Sequence, residues 1–162
     1  MKTPDHVINF EDNLLDSSSS IEPVIQRAAR ASLSFLSLDK QIELTILVCD
    51  DDYMQELNLT YRGLDKTTDV LSFENRFEVP GTEMTYIGDI AISHPTAQRQ
   101  ASRLGHELEA ELSLLTVHGI LHLFGYDHLD EVEKVEMWSI QSKIMASLGY
   151  PNIHLLTDDV DA

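Results

Sequence analysis

The stretch that most constrains this chain is residues 118–128, His-Gly-Ile-Leu-His-Leu-Phe-Gly-Tyr-Asp-His, with the apolar run in front of it. Leu108, Leu112, Leu115 and Leu121 recur at helical spacing. That spacing predicts a helix from residue 106 or 107 to 123 and sets His118 and His122 one turn apart on one face. Gly125 follows where a glycine can take the left-handed conformation that ends a helix, and the resulting turn can bring His128 back to the same point. Three neutral imidazoles gathered in this way make an open tetrahedral site with a fourth position left for water. Zinc is the expected ion, although nickel and copper suit imidazole equally.

The spacing also matches the long zinc-peptidase signature, with His at the first, fifth and eleventh positions and Gly at the eighth. One residue departs from it. Where those peptidases carry the glutamate that serves as general base, this chain has Gly119, so the metal geometry is retained while the peptidase base is missing. A structural zinc is the blander reading, but such sites are closed and rich in thiolate, and Cys49 is the chain's one cysteine. In an apolar, strand-like run, Cys49 reads as a small buried hydrophobe and not as a nucleophile.

A length of 162 residues with 43% apolar residues suits one soluble domain with a sizeable core, its last residues, 151–162, forming an acidic tail. No apolar run approaches the roughly 20 residues that span a bilayer, and the first residues lack a signal peptide's apolar stretch, so a cytoplasmic protein is expected. The net charge of −17 argues against a general nucleic-acid binder. Arg62, Lys66, Arg76, Arg99 and Arg103 nevertheless lie in the middle third, where they could form a local basic groove or be scattered solvated cations.

In chain order, residues 6–10 alternate as an edge strand and 13–20 form a serine-rich loop ending in a helix cap. Residues 21–36 have the apolar spacing of an amphipathic helix that tolerates Pro23 in its first turn. Ile42, Leu44, Ile46 and Val48 alternate as a strand. Asp50, Asp51 and Asp52 then open a helix to about residue 61, where acids cap amides and suit the dipole; a magnesium site is the alternative. Strands over residues 70–77 and 86–93 are expected to pair as a hairpin around Pro80-Gly81-Thr82. His94-Pro95 opens a helix that Gly105 breaks before the ligand helix. Asp130 caps the last helix, with Val132, Val135, Trp138, Ile144, Met145 and Leu148 as its buried stripe. The prediction is an α+β domain: a small mixed sheet of about four strands with about five helices packed on it.

The segment 118–128 resembles the signature of the YbeY family of bacterial metal-dependent endoribonucleases. The likeness extends to Leu57-Asn58-Leu59-Thr60-Tyr61-Arg62, to Thr68-Asp69-Val70-Leu71-Ser72-Phe73 and to Ile87-Gly88-Asp89-Ile90-Ala91-Ile92, in the family's order and spacing, and covers about residues 42–148. It implies the same α+β arrangement, with the sheet beside a zinc-peptidase-like metal helix. It also implies single-strand-directed endoribonuclease activity in maturation of the 16S ribosomal RNA 3′ end and in ribosome quality control, next to the small subunit and an assembly GTPase. His118, His122 and His128 are then the metal ligands, and Arg62, with His118, is implied to be needed for RNA cleavage.

The chemistry is consistent with that implication. A three-histidine metal lowers the pKa of its water toward 7 and polarises a phosphoryl oxygen, and phosphodiester cleavage also needs a cation for the charge that builds on the nonbridging oxygens. Arg62 is the candidate; without the resemblance it would read as a helix-end arginine facing solvent. Asp89 and Asp127 are the two candidates for a carboxylate orienting a ligand imidazole, and either could simply cap a turn. Thr68 and Asp69 could order the loop that carries Arg62. His6, His94, His106 and His154 have no partner at ligand spacing and read as solvated or capping. Two other classes stay open: a zinc-dependent peptidase or amidohydrolase, and a noncatalytic ribosome assembly factor with a structural metal.

Overall fold

The computed structural model describes residues 4–14 and 21–153. The serine-rich loop expected up to residue 20, His154 and most of the acidic tail therefore lie outside the described residues. Among the described residues nine elements follow one another: β1 (Val7–Asp12), α1 (Ile21–Leu36), β2 (Ile42–Cys49), α2 (Asp51–Arg62), β3 (Val70–Glu78), β4 (Thr85–Ser93), α3 (His94–Leu104), α4 (Leu108–Leu123) and α5 (Glu131–Ser147). This is the α+β fold read from the sequence, in the order expected.

The strands form one mixed sheet in the order β1-β2-β4-β3, with β1, β2 and β4 parallel and β3 antiparallel to β4 at the edge. Because side chains alternate along a strand, Leu44, Ile46 and Val48 of β2 face one side with Ile90 and Ile92 of β4, where they join Ile25 and Leu33 of α1 and Leu112, Leu115 and Ile120 of α4 in the largest apolar cluster. A second cluster holds α5 against α1 and α4 through Ala28, Leu114, Val117, Leu121, Met137, Ile144 and Met145. The other face of the sheet is covered less: Leu47, Cys49, Leu71, Phe73 and Ala91 meet Met54 and Leu57 of α2.

Strand β4 carries a bulge. Its pairing with β2 passes from Glu43–Tyr86 to Leu44–Gly88, leaving Ile87 over, and Gly88 adopts φ 146° where an added Cβ would lie 2.3 Å from the Phe73 carbonyl oxygen. The extra residue resets the alternation, so Ile87 and Ile90 both face the helices while Tyr86 and Asp89 share the opposite side.

Helix α4 is the centre of the packing. Thirteen of its sixteen residues are buried, which is what a helix apolar on nearly every side requires. It crosses β3 and β4 closely enough that a Cβ on Gly119 would stand 2.9 Å from Ile90 Cγ2 and 3.3 Å from Ser72 Oγ. Ser72 Oγ donates to the Gly119 carbonyl at 2.9 Å, and Arg76 Nη2 donates to the Leu123 carbonyl at 2.6 Å, closing the negative end of the helix with a cation.

Two expectations fail in α5. Val132 and Val135 are 78% and 65% exposed, and the buried face runs through Met137, Gln141, Ile144, Met145 and Leu148. The inward stripe is set by the second apolar cluster, and the first turn of α5 projects beyond it. Nor are His6 and His106 solvated: buried His6 accepts from the Ile42 amide through Nδ1, and His106 Nε2 bonds to the buried Glu111 carboxylate. Cys49 is buried as expected, its thiol pushed up to about 12 by burial and then by Asp50 and Asp51. Asp50 caps α2 by accepting from the Tyr53 amide, while Asp51 accepts from Ser93 and Thr96 of the β4–α3 junction and pairs with Arg99.

Gly119→Ala should test the α4–β4 contact. Alanine gains up to about 1 kcal/mol of helix propensity, whereas forcing apart a packed contact costs about 1–3 kcal/mol. The expected outcome is a net loss of stability in urea denaturation; a gain would show that Ile90 yields freely.

Candidate metal centre

Helix α4 ends as the sequence predicts. Gly125 adopts φ 92°, its amide donates to His122 O at 3.0 Å, and the Tyr126 amide donates to Leu121 O at 3.1 Å. That pair of bonds is a Schellman turn, which satisfies the last carbonyls and reverses the chain. The reversal carries His128 back over the helix face that bears His118 and His122. One ligand nitrogen from each of the three rings then lies within 4.8 Å of the others.

The details suit a metal. His118 Nε2 and His122 Nε2 are 3.0 Å apart, near the roughly 3.3 Å that two nitrogens bound at about 2.0–2.1 Å to one tetrahedral ion would show. The His128 ring centroid stands 5.7 Å and 5.3 Å from those of His118 and His122. Burial lowers the His118 pKa to about 3, with the neighbouring His122 and His128 adding to the effect against the Gln141 hydrogen bond. Burial also lowers His122, to about 4; the Asp127 carboxylate opposes this, and the charges of His128 and Arg62 add to it. Both rings are therefore neutral at pH 7 and offer lone pairs, the form in which imidazole binds a metal.

Gln141 sits behind His118. This α5 residue is buried, and its Oε1 accepts from His118 Nδ1 at 3.0 Å, so the proton is held on Nδ1 and Nε2 is left to point at the shared centre. Sequence reasoning missed it. The available signal was a glutamine within the apolar set Met137, Ile144 and Met145, visible once the correct stripe of α5 is known.

The two carboxylates part company. Asp127 lies in the ligand loop, where Oδ1 accepts from the His128 amide at 2.8 Å and its charge acts on His122. Asp89 faces the other side of the sheet, and its Oδ1 accepts from the Tyr86 hydroxyl, so its hydrogen bond goes to that phenol and not to a ligand imidazole. The bulge at Gly88 decides this orientation, and β-strand alternation read from the sequence does not include it.

Arg62 is the last residue of α2. Gly63 ends the helix at φ 70°, its amide donating to Asn58 and Leu59 carbonyls, and Asn58 Nδ2 holds Lys66 O at 2.9 Å. Behind the following loop, the buried Asp69 is bridged through Gln100 Nε2, at 3.2 Å and 2.9 Å, to Glu111 of α4. Burial raises the Asp69 carboxyl to about 6. This network fixes the segment after Arg62, whose charge reaches His122. Of the other mid-chain cations, Arg76 closes α4 and Arg99 pairs with Asp51.

Because both rings titrate below the usual value of 6.5, the unfolded chain takes up their protons first as pH falls. Their contribution to stability is complete above pH 6.5 and is lost as pH drops toward 4 and 3. Urea midpoints of the chelator-treated protein should fall across that window, with a shallower fall in His122→Asn. Gln141→Leu should keep the fold while weakening zinc binding about 10- to 100-fold in a competition titration. Unchanged affinity would show that the Nδ1 contact does not orient the ligand.

The chain matches the family model described as Endoribonuclease YbeY over residues 7–149. It is 40% identical to the Endoribonuclease YbeY of Desulforamulus reducens, an alignment covering 88% of this chain and 91% of that protein. Its structure is similar to the solution structure of TM1509 from Thermotoga maritima, with a TM-score of 0.60 and 26% identity over 88% of this chain and 89% of the other. With a family match that spans nearly all the described residues and a relative aligned almost end to end, this chain belongs to the endoribonuclease YbeY family.

Proposed function

We propose that this protein is a metal-dependent, single-strand-directed endoribonuclease that uses one zinc ion held by His118, His122 and His128. The observation that carries the reading is the convergence of three imidazoles, with the Arg62 charge acting on His122. Bound there, zinc supplies Lewis acidity toward water and a phosphoryl oxygen. The protein's own groups do the rest. His118 is held in one tautomer by Gln141 and His122 is kept neutral by burial, while Arg62 offers a planar pair of donors for two phosphate oxygens as charge builds on them.

The peptidase reading loses its remaining support at Gly119. The position that bears the general base in the zinc-peptidase signature has no room here for even a methyl group beside Ile90 and Ser72. Asp127 could take a proton, but its Oδ1 already accepts from the His128 amide. A guanidinium that can hold two nonbridging oxygens at once suits a phosphodiester.

The cellular task proposed is maturation of the 16S ribosomal RNA 3′ end and quality control of the small subunit in the cytoplasm. A net charge of −17 opposes free association with RNA, so the enzyme is brought to its substrate by a small-subunit component or an assembly GTPase. No helix among the described residues is long and apolar enough to cross a membrane.

Incubating the purified protein with unstructured RNA and with denatured casein, each with and without chelator, tests the reaction class. RNA cleavage that chelator stops is expected, with casein left intact. Arg62→Ala should lower that cleavage by about 100-fold or more while zinc content and melting temperature persist, since removing one donor to a developing anion costs about 10²–10³ in rate. Cleavage that survives Arg62→Ala would sink the assigned role.

A further inference from the structure

On the face of the sheet away from α4 lies a cavity of about 570 Å³ that the metal centre does not use. Leu47, Leu57, Phe73 and Ala91 line it with apolar surface, Tyr61 stands at its wall and Asp89 brings a carboxylate. The same face receives Asp89 of the Ile87-Gly88-Asp89-Ile90 motif, whose hydrogen bond goes to Tyr86 and not to the histidine cluster. We propose that this groove is a base-binding subsite of the RNA site: an unpaired base stacks on the Tyr61 and Phe73 rings and donates N–H groups to Asp89. The proposal rests on the endoribonuclease reading and names how that site would hold a nucleotide beside the scissile phosphate.

Three observations carry it. First, Tyr61 is 66% exposed, an unusual position for a large ring, and meets Phe73 edge-on with centroids 5.1 Å apart, so ring surface is left for a flat partner. Aromatic platforms of this kind hold single-stranded nucleic acid, each stacked base contributing about 5- to 150-fold in affinity. Second, Asp89 is fixed in place. The bulge at Gly88 puts Tyr86 and Asp89 on one face, the Tyr86 hydroxyl donates to Asp89 Oδ1, and Thr45 Oγ1 lies 2.6 Å from that hydroxyl.

Third, the groove lies beside the segment that carries Arg62. Tyr61 in the groove wall and Arg62, whose charge reaches His122, are consecutive residues at the end of α2. A nucleotide can therefore place its base in the groove and its phosphate toward Arg62. Glu11 and Asp89, both lining the groove, disfavour a phosphate inside it and suit the donor edge of a base. A carboxylate accepts only, so bases with adjacent donors are preferred. Guanine, with N1–H and an N2 amino group side by side, fits best, and uracil, with one N–H, fits less well.

The test is fluorescence anisotropy of the zinc-loaded full chain with cleavage-resistant 2′-O-methyl phosphorothioate hexamers, hexauridylate against the same hexamer carrying one guanine at each position in turn. At least one guanine position should bind about tenfold tighter than hexauridylate. Tyr61→Ala should weaken every hexamer by at least fivefold and Tyr61→Phe should restore it. Asp89→Asn should remove the guanine preference while hexauridylate binds as before, with circular dichroism melts showing both variants folded. Hexamers bound alike by the wild type, Tyr61→Ala and Asp89→Asn would overturn the subsite. So would an alternating lysine-leucine peptide whose binding is lost in Asp89→Asn while RNA affinity is unchanged, since the groove would then receive a basic polypeptide. The two readings fail separately: guanine preference without any RNA cleavage would sink the nuclease and keep the subsite, and cleavage indifferent to both substitutions would do the reverse.

Discussion

The close crossing of α4 over β3 and β4 at Gly119 is the contact on which the rest of the molecule depends. With no side chain there, the helix backbone approaches Ile90 and receives the Ser72 hydroxyl on its Gly119 carbonyl. That approach fixes where the end of α4 lies relative to the β3 edge, and Arg76, reaching from β3 to the Leu123 carbonyl, anchors it a turn later. His118 and His122, two of the three proposed ligands, ride on this anchored end. A helix free to slide by a residue would carry His118 away from Gln141 and His122 away from Arg62 at once.

The site is a compromise between burial and charge. Burial keeps His118 and His122 neutral and so able to ligate, but it would also favour alternative proton positions were Gln141 not holding one on Nδ1. Asp127 works in the opposite direction on His122, and Arg62 restores the balance. The same logic explains why the supporting residues come from elsewhere in the fold: α5 supplies Gln141, while the Asp69–Gln100–Glu111 network stiffens the loop behind Arg62.

The two faces of the sheet divide the labour. One is sealed by α1 and α4, with α5 packed behind them, and provides the stability against which the ligand helix is held. The other is covered only in part by α2, leaving a groove in which a bulge sets Tyr86 and Asp89 side by side. For a chain so acidic, the few places where a cation or an aromatic ring meets solvent matter at contact, because charges more than about a Debye length away are largely screened by salt.

Much of this was present in the order of residues. Periodicity alone placed the nine elements because a 3.6-residue and a 2-residue repeat are local properties, and the glycine after α4 foretold its turn because few other residues tolerate positive φ. The spacing of His118, His122 and His128 likewise implied convergence. What depended on contacts between distant segments could not be read in this way. The exposure of Val132 and Val135 follows from where the second apolar cluster ends, the role of Gln141 from which face of α5 meets α4, and the direction of Asp89 from a bulge that matches no spacing rule. Local pattern determined which residues could act together; only the packing of α4 against the sheet and α5 decided which of them do.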